Sequence, residues 1–165
     1  NYMNNKNSAK IVNIKKWKIR EAEKSDLDVL MNFSLLLARE TEAKIINKDK
    51  VRSGIKSVLD DSSKGIIFVA CDKKIVIGCF MINGREWSEW RNGYILWLTG
   101  TYTAVEYRRM GVRKALFNYA VRWGKSQPQV LGLRGYRHKS NNAIHSAALT
   151  GGMQETQYRI NEYLF

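Results

Sequence analysis

The sequence predicts a single domain of mixed α/β (α+β) class, and three observations lead there. Strand-like, β-rich runs and stretches with apolar residues at helical spacing interleave along the chain. Two β-rich runs are separated only by Asp72-Lys73-Lys74, which is a hairpin. At 165 residues with 44% apolar content, the chain is long enough for one real core and too short for two comfortable ones.

In order, a short strand is expected at Trp17–Ala22. Ser25 with Asp28 reads as a capping box opening a helix, with Leu27, Leu30 and Met31 on one face, that runs to about Arg39. Val51, Ile55, Val58 and Leu59 share one face of a second helix. Gly65–Cys71 and Ile75–Ile82 form the hairpin, Gly84–Gly93 reads as a polar loop, and Gly93–Thr103 is a long strand. Val112, Ala115, Leu116, Tyr119, Ala120 and Trp123 make the cleanest helical stripe, with Gly124 expected to end it. A strand at Val130–Tyr136, a short helix at Asn141–Leu149 and a final strand at Gln157–Phe165 complete the order β-αα-β-β-β-α-β-α-β.

No apolar run is long enough to span a bilayer, and residues 1–13 read as a flexible polar tail ahead of one domain over 14–165. Cys71 and Cys79 sit in apolar, strand-like runs and read as buried free thiols, so a reducing cytoplasm is the expected compartment. With only His138 and His145 beside them, no zinc spacing exists and no metal is expected.

The net charge of +13 is unevenly spread. Arg108, Arg109, Arg113, Lys114, Arg122, Lys125, Arg134, Arg137 and Lys139 stand against the single acid Glu106 between Val105 and Ser140. Such a field draws a polyanion, either nucleic acid or a cofactor bearing several phosphates. Position favours the cofactor. Gly100 interrupts the long strand and marks a bulge that would free backbone groups at Thr101, Tyr102 and Thr103 for an extended amide-bearing ligand. The next turn, Arg108-Arg109-Met110-Gly111-Val112-Arg113-Lys114, enters the strongest helix, where unpaired N–H groups and the helix dipole attract an anion.

On these residues the chain resembles the GNAT acetyltransferases, which share this element order and the pattern Arg/Gln-x-x-Gly-x-Gly/Ala at this turn. Arg108 and Gly111 match, and Arg113 takes the final Gly/Ala place. The resemblance runs from about Trp17 onward. It sharpens at Glu86-Trp87-Ser88-Glu89-Trp90-Arg91-Asn92-Gly93, which looks like the E-W-S-D-W-R-N-G segment of one subgroup, and at Glu40-Thr41-Glu42-Ala43-Lys44. It implies a GNAT-type, mostly antiparallel central sheet flanked by helices and an acetyl-CoA-dependent N-acetyltransferase. It also implies that Thr101, Tyr102 and Thr103 pair with the pantetheine arm. Backbone N–H groups over Arg109, Met110, Gly111, Val112, Arg113 and Lys114 would then hold the pyrophosphate, with Asn141 near the far end of the arm.

Two departures bear on catalysis. The tyrosine that the family uses to protonate the departing thiolate is replaced here by Ala148. Trp97 stands where some members carry a base glutamate. Tyr136, Tyr158 and His145 are the candidates to substitute as acid, with Tyr136 preferred. Glu86 and Glu89 beside Trp87 and Trp90 would suit a cationic amine, small molecule or peptide, with Glu86 helping to remove its proton. Alternatively, Arg91 pairs with one of these acids and the tryptophans close the core. The competing functions are a CoA-binding relative that has lost catalysis and acts as a sensor or partner protein, and a basic nucleic-acid binder.

Overall fold

A computed structural model describes residues 17–165; the polar tail expected over residues 1–13 lies outside them. The elements are β1 (Lys18–Glu21), α1 (Leu27–Glu42), α2 (Lys48–Asp60), β2 (Ile66–Asp72), β3 (Ile75–Ser88), β4 (Gly93–Thr103), α3 (Val112–Ser126), β5 (Val130–Gly135) and α4 (Asn142–Thr150). The strands form one sheet in the order β1-β2-β3-β4-β5. All neighbours are antiparallel except β4 and β5, which run parallel with α3 as the crossover.

The sheet is buried on both faces, which is why β2 reads as an unbroken apolar run rather than an alternation. Phe68 and Ala70 of β2 face α3, packing with Phe80, Leu96, Val112, Leu116 and Ala120. Ile67, Val69 and Cys71 face the other way, onto Leu30, Met31, Phe33 and Ile55 of the first two helices. Each large side chain so buried contributes about 1.5–3 kcal/mol from removed apolar surface. Cys71 and Cys79 are both buried free thiols, and burial pushes the Cys79 pKa up to about 12.

Four sequence expectations change. The box at the start of α1 is made by Glu23 and Asp26, not Ser25 and Asp28: the buried Asp26 accepts the Glu23 backbone N–H at 2.8 Å and two bonds from Arg20 at 2.7 and 3.0 Å. A short 3-10 turn at Lys24–Asp26 delays α1 to Leu27. The polar stretch from Gly84 is mostly strand, because β3 continues to Ser88 paired with Gly93 and leaves only Glu89–Asn92 as the turn. Gly124 lies buried inside α3, which runs on to Ser126, so it does not end the helix; a Cβ there would meet Leu133 Cδ2 at an ordinary contact distance of 3.6 Å. Residues Gln157–Phe165 form no strand, since a strand exists only through a pairing partner and none meets them among the described residues.

Among the described residues no helix is long and apolar enough to cross a membrane.

Candidate active site

The site begins where β4 and β5 part. Their pairing runs from Tyr94–Val130 to Leu98–Gly135 and stops there. On its other edge β4 stays paired with β3 as far as Thr103–Gly78, with a bulge where Met81 meets Gly100 and Ile82 meets Leu98. The extra residue is therefore Thr99, beside the glycine that flagged the irregularity. Past Leu98 no strand pairs with the β5 side of β4 among the described residues. The Thr99 hydroxyl is buried there without a hydrogen-bond partner among them. A cleft of about 2300 Å³ opens at the split, with Trp97, Thr101, Arg113, Arg134, Tyr136, Asn141 and Ala148 among its walls.

The turn into α3 is held from three sides. The Arg108 guanidinium donates to the Thr103 carbonyl at 3.1 Å and to Glu40 Oε2 at 2.7 Å. Tyr107 donates its hydroxyl to Asp72 Oδ2 at 3.1 Å, and the Trp17 indole reaches the Met110 carbonyl at 3.4 Å. The first internal bond of α3 is Ala115 N–H to the Gly111 carbonyl, so the N–H groups of Val112, Arg113 and Lys114 precede the ladder. No acid stands in this first turn and no side chain caps it among the described residues. Gly111 has φ of 85°, and a Cβ built on it meets nothing within 4 Å. Its requirement is thus conformational, while the space outside it is open.

Arg108 is committed to this scaffold. Glu40 also accepts the Tyr102 hydroxyl at 2.7 Å, and the guanidinium lies 5.3 Å from the Tyr102 ring. Burial works to raise the Glu40 pKa, but the bonds from Tyr102 and Arg108 hold it below the usual range. Burial, followed by the Glu40 bond, pushes Tyr102 up to about 12. Tyr102 is buried and its backbone groups are turned to Cys79 of β3, so on this strand it is Thr101 and Thr103 that present backbone groups to the free edge. Val112 is buried and can offer a ligand only its backbone. Arg109, Met110 and Lys114 lie outside the cleft walls, and Arg113 alone of this turn lines the cleft. Arg113 Nε is buried without a partner among the described residues, and burial lowers its pKa.

On the sheet face opposite α3, Glu86 takes Arg134, whose Nη1 donates to both carboxylate oxygens at 2.8 Å, and accepts the Trp97 indole at 2.9 Å. Arg134 lies over the Trp97 ring at 5.5 Å. Tyr136, one residue past the last β4–β5 pair, packs on Trp97 at 6.1 Å and is half exposed. Arg134, not Arg91, is therefore the partner of Glu86, and Trp87 and Trp90 are exposed rather than closing the core. Trp87 packs edge-on against Tyr94 at 4.9 Å. Tyr158 lies 6.0 Å from Arg134, and His145 lies 3.6 Å from Glu155. Asn141 caps α4 through its side-chain oxygen, which accepts the Ile144 N–H at 3.1 Å.

Arg134 belongs to the basic field legible in the sequence, but its pairing with Glu86 is not legible there; the signal is that it is the one charge in an otherwise apolar strand. Glu40 stands in the segment 40–44, whose residues give no sign that it accepts from both Tyr102 and Arg108. The cleft gathers Thr101, Arg113, Tyr136 and Asn141, while Glu86 stands just outside its walls behind Trp97 and Arg134.

The residues present fit a phosphate-bearing cofactor with an extended amide arm. The helix entry has no acid, and a buried unpartnered Arg113 Nε and the buried Thr99 hydroxyl beside the free strand edge both belong to residues that line the cleft. Among the described residues no cluster of three or more His, Cys, Asp or Glu could hold a metal.

Comparison with known proteins agrees with this geometry. The model of the acetyltransferase (GNAT) family matches residues 33–146. A possible acetyltransferase from Clostridium difficile 630 is 36% identical, with a TM-score of 0.83 over 90% of this chain and 97% of that one. The aminoglycoside N-acetyltransferase AAC(6')-Iy, solved in complex with CoA, is 18% identical, with a TM-score of 0.74 over 90% and 94% of the two chains. A transcriptional regulator from Bacillus halodurans C-125, 16% identical with a TM-score of 0.75 over 90% and 99%, shares the fold. No curated protein matches the chain. A five-stranded sheet split beside an acid-free helix entry, together with these matches, makes the chain a member of the GNAT acetyltransferase family and hence an acyltransferase.

Proposed function

We propose that the protein transfers the acetyl group of acetyl-CoA to an amine by direct attack. The observation that carries this reading is the parting of β4 from β5 after Leu98 and Gly135, alongside a helix entry with no acid of its own. The free edge of β4 gives the pantetheine amides a strand to pair with. The N–H groups of Arg109 to Lys114 and the Arg113 guanidinium give the phosphates donors, each charge-assisted bond contributing about 1.5–3 kcal/mol. Asn141 keeps its amide nitrogen for the arm, because its cap on α4 uses only the oxygen.

In the reaction the amine lone pair forms the new C–N bond to the acetyl carbon, and the C–S bond breaks. The amine loses one proton and the departing thiolate takes one. A backbone N–H near Tyr102 on the free edge of β4, that of Thr101 or Thr103, polarises the carbonyl, because the Tyr102 N–H itself is turned to Cys79 of β3. Tyr136 is the proposed proton donor to the thiolate, in place of the tyrosine that Ala148 replaces. Glu86 acts on the amine side through its charge, shared with Arg134 and Trp97.

Two of the solved relatives are aminoglycoside acetyltransferases. Their acceptors are amines, and an amine of small-molecule or peptide origin is the acceptor proposed here. Incubation with acetyl-CoA and a panel of amines, read by mass spectrometry, tests the reading: an acetylated amine plus free CoA is expected. CoA binding with no product from any amine would favour a non-catalytic relative instead. DNA binding that CoA does not displace would favour the nucleic-acid reading.

A further inference from the structure

Among the described residues, seven lysines and arginines line the cleft against two acids, Glu42 and Glu155, and both acids are already engaged. Glu42 takes Lys44 at 2.7 Å, while Glu155 has Arg137 at 4.0 Å and His145 at 3.6 Å. Glu86, just behind the wall, is taken by Arg134. Arg91, Lys125, Lys139 and Arg159 have no ion pair among the described residues. Phosphates at the α3 entry would account for Arg113. Arg134, Arg137 and Lys139 belong instead to β5 and the turn after it, around Tyr136 and ahead of the Asn141 cap of α4.

Arg134 is the most firmly held of these cations. Its side chain is 25% exposed, and it lies over the Trp97 ring. Both of its bonds to Glu86 come from Nη1. Nε and Nη2, along the other edge of the guanidinium, have no hydrogen-bond partner among the described residues, and neither is sealed from solvent. That edge presents two parallel N–H groups, the fork that a carboxylate or phosphate accepts with two oxygens.

We propose that the amine acceptor itself carries an acid group, a carboxylate or a phosphate, and that the free edge of Arg134 binds it. The inference rests on the acetyl-transfer reading above and narrows its acceptor. Arg137 and Lys139 add a field of the same sign from the following turn. Glu86, pressed against the back of Arg134, offsets part of its charge, so the ammonium of the same molecule is not driven off. A polycationic amine meets the opposite conditions: a wall with surplus positive charge and no unpaired carboxylate among the described residues to take its ammonium groups.

Each amine of the panel is run beside a neutral partner, an amino acid beside its amide and a phosphate ester beside its alcohol, with linear diamines as the cationic arm. The acid-bearing member should have a kcat/KM about tenfold higher. The preference cannot come from basicity, because the amide is the weaker base and holds more free amine at any pH. The two pairs tell carboxylate from phosphate. Arg134→Lys keeps a charge for Glu86 but loses the fork, and should remove most of the preference with acetyl-CoA affinity and melting temperature unchanged. NMR of the CoA-saturated wild type reads binding without turnover. The Arg134 Nε–H signal, assigned by its loss in Arg134→Lys, should shift with acid-bearing amines and stay in place with diamines. Neutral or cationic amines acetylated as well as acid-bearing ones overturn the proposal and leave acetyl transfer standing, and so does a preference that survives Arg134→Lys. A shift without acetylation supports the Arg134 edge and counts against transfer. No shift with any acid-bearing amine overturns the proposal whatever the turnover.

Discussion

Arg108 and Glu40, 68 positions apart, meet at 2.7 Å and tie the end of α1 to the turn that opens α3. Glu40 spends its second oxygen on the Tyr102 hydroxyl, so one carboxylate fixes both the free-edged strand and the helix entry. The group that the family pattern marks by its arginine thus works here by holding the turn in shape.

Glu40→Gln keeps the size of the side chain but removes its charge. The pair is partly solvent-exposed, which discounts its charge-assisted bonds to about 1 kcal/mol of stability. Loss of the fixed turn should also weaken acetyl-CoA binding about fivefold, equivalent to ~1 kcal/mol. Thermal melting and calorimetry measure the two effects separately. A lower melting temperature with unchanged CoA affinity would restrict Glu40 to the fold.

At Gly111 two substitutions separate shape from charge. Asparagine tolerates left-handed backbone better than other side chains, and open space surrounds the position, so Gly111→Asn should fold and bind acetyl-CoA. Gly111→Asp has nearly the same shape but places a carboxylate at the helix entry. Its affinity should fall at least tenfold, about 1.4 kcal/mol. Equal affinities for the two variants would mean that the phosphates lie elsewhere.

Tyr136→Phe removes only a hydroxyl from a half-exposed ring packed on Trp97. If that hydroxyl protonates the thiolate, kcat should drop by roughly 10²–10⁴ with acetyl-CoA affinity unchanged. A normal kcat would hand the role to Tyr158, His145 or water.

Glu86→Gln should raise the acceptor KM about fivefold, ~1 kcal/mol, and leave acetyl-CoA affinity alone. The amide can still accept one bond from Arg134 or Trp97 but no longer offsets the arginine's charge. The site then becomes more repulsive to an ammonium. Wild-type KM with a confirmed amine would take Glu86 out of acceptor binding.

Acid should unfold the protein partly through Asp26. Burial works to raise its pKa, but Arg20 and the Glu23 N–H outweigh that and hold it below the ordinary 3.8. A depressed folded pKa means that the contribution is fully present above the ordinary value and is lost as pH falls through the folded one. Asp26→Asn should therefore lower stability at neutral pH and flatten the loss below about pH 4. Parallel acid limbs in chemical denaturation of wild type and variant would show that other carboxylates dominate.

Much of the fold was legible because it rests on local rules. Periodicity placed α2 and the hairpin, since burial on one face or two leaves its mark on the residues themselves. Gly100 announced a bulge, and the turn after Tyr107 is free of acids, as its residues read. What depended on partners was hidden. The polar stretch from Gly84 to Ser88 is strand only because β4 lies beside it, and Gln157–Phe165 is not strand because nothing does. The same holds for the site. Composition and spacing gave a basic helix entry beside an interrupted strand. Only the folded chain decided that Arg108 turns inward to Glu40, that Arg134 covers Glu86, and that Arg113 alone of the turn reaches the cleft. The physical reason is that a side chain's charge is a property of its residue, while its partner is set by which strands and helices the core brings together.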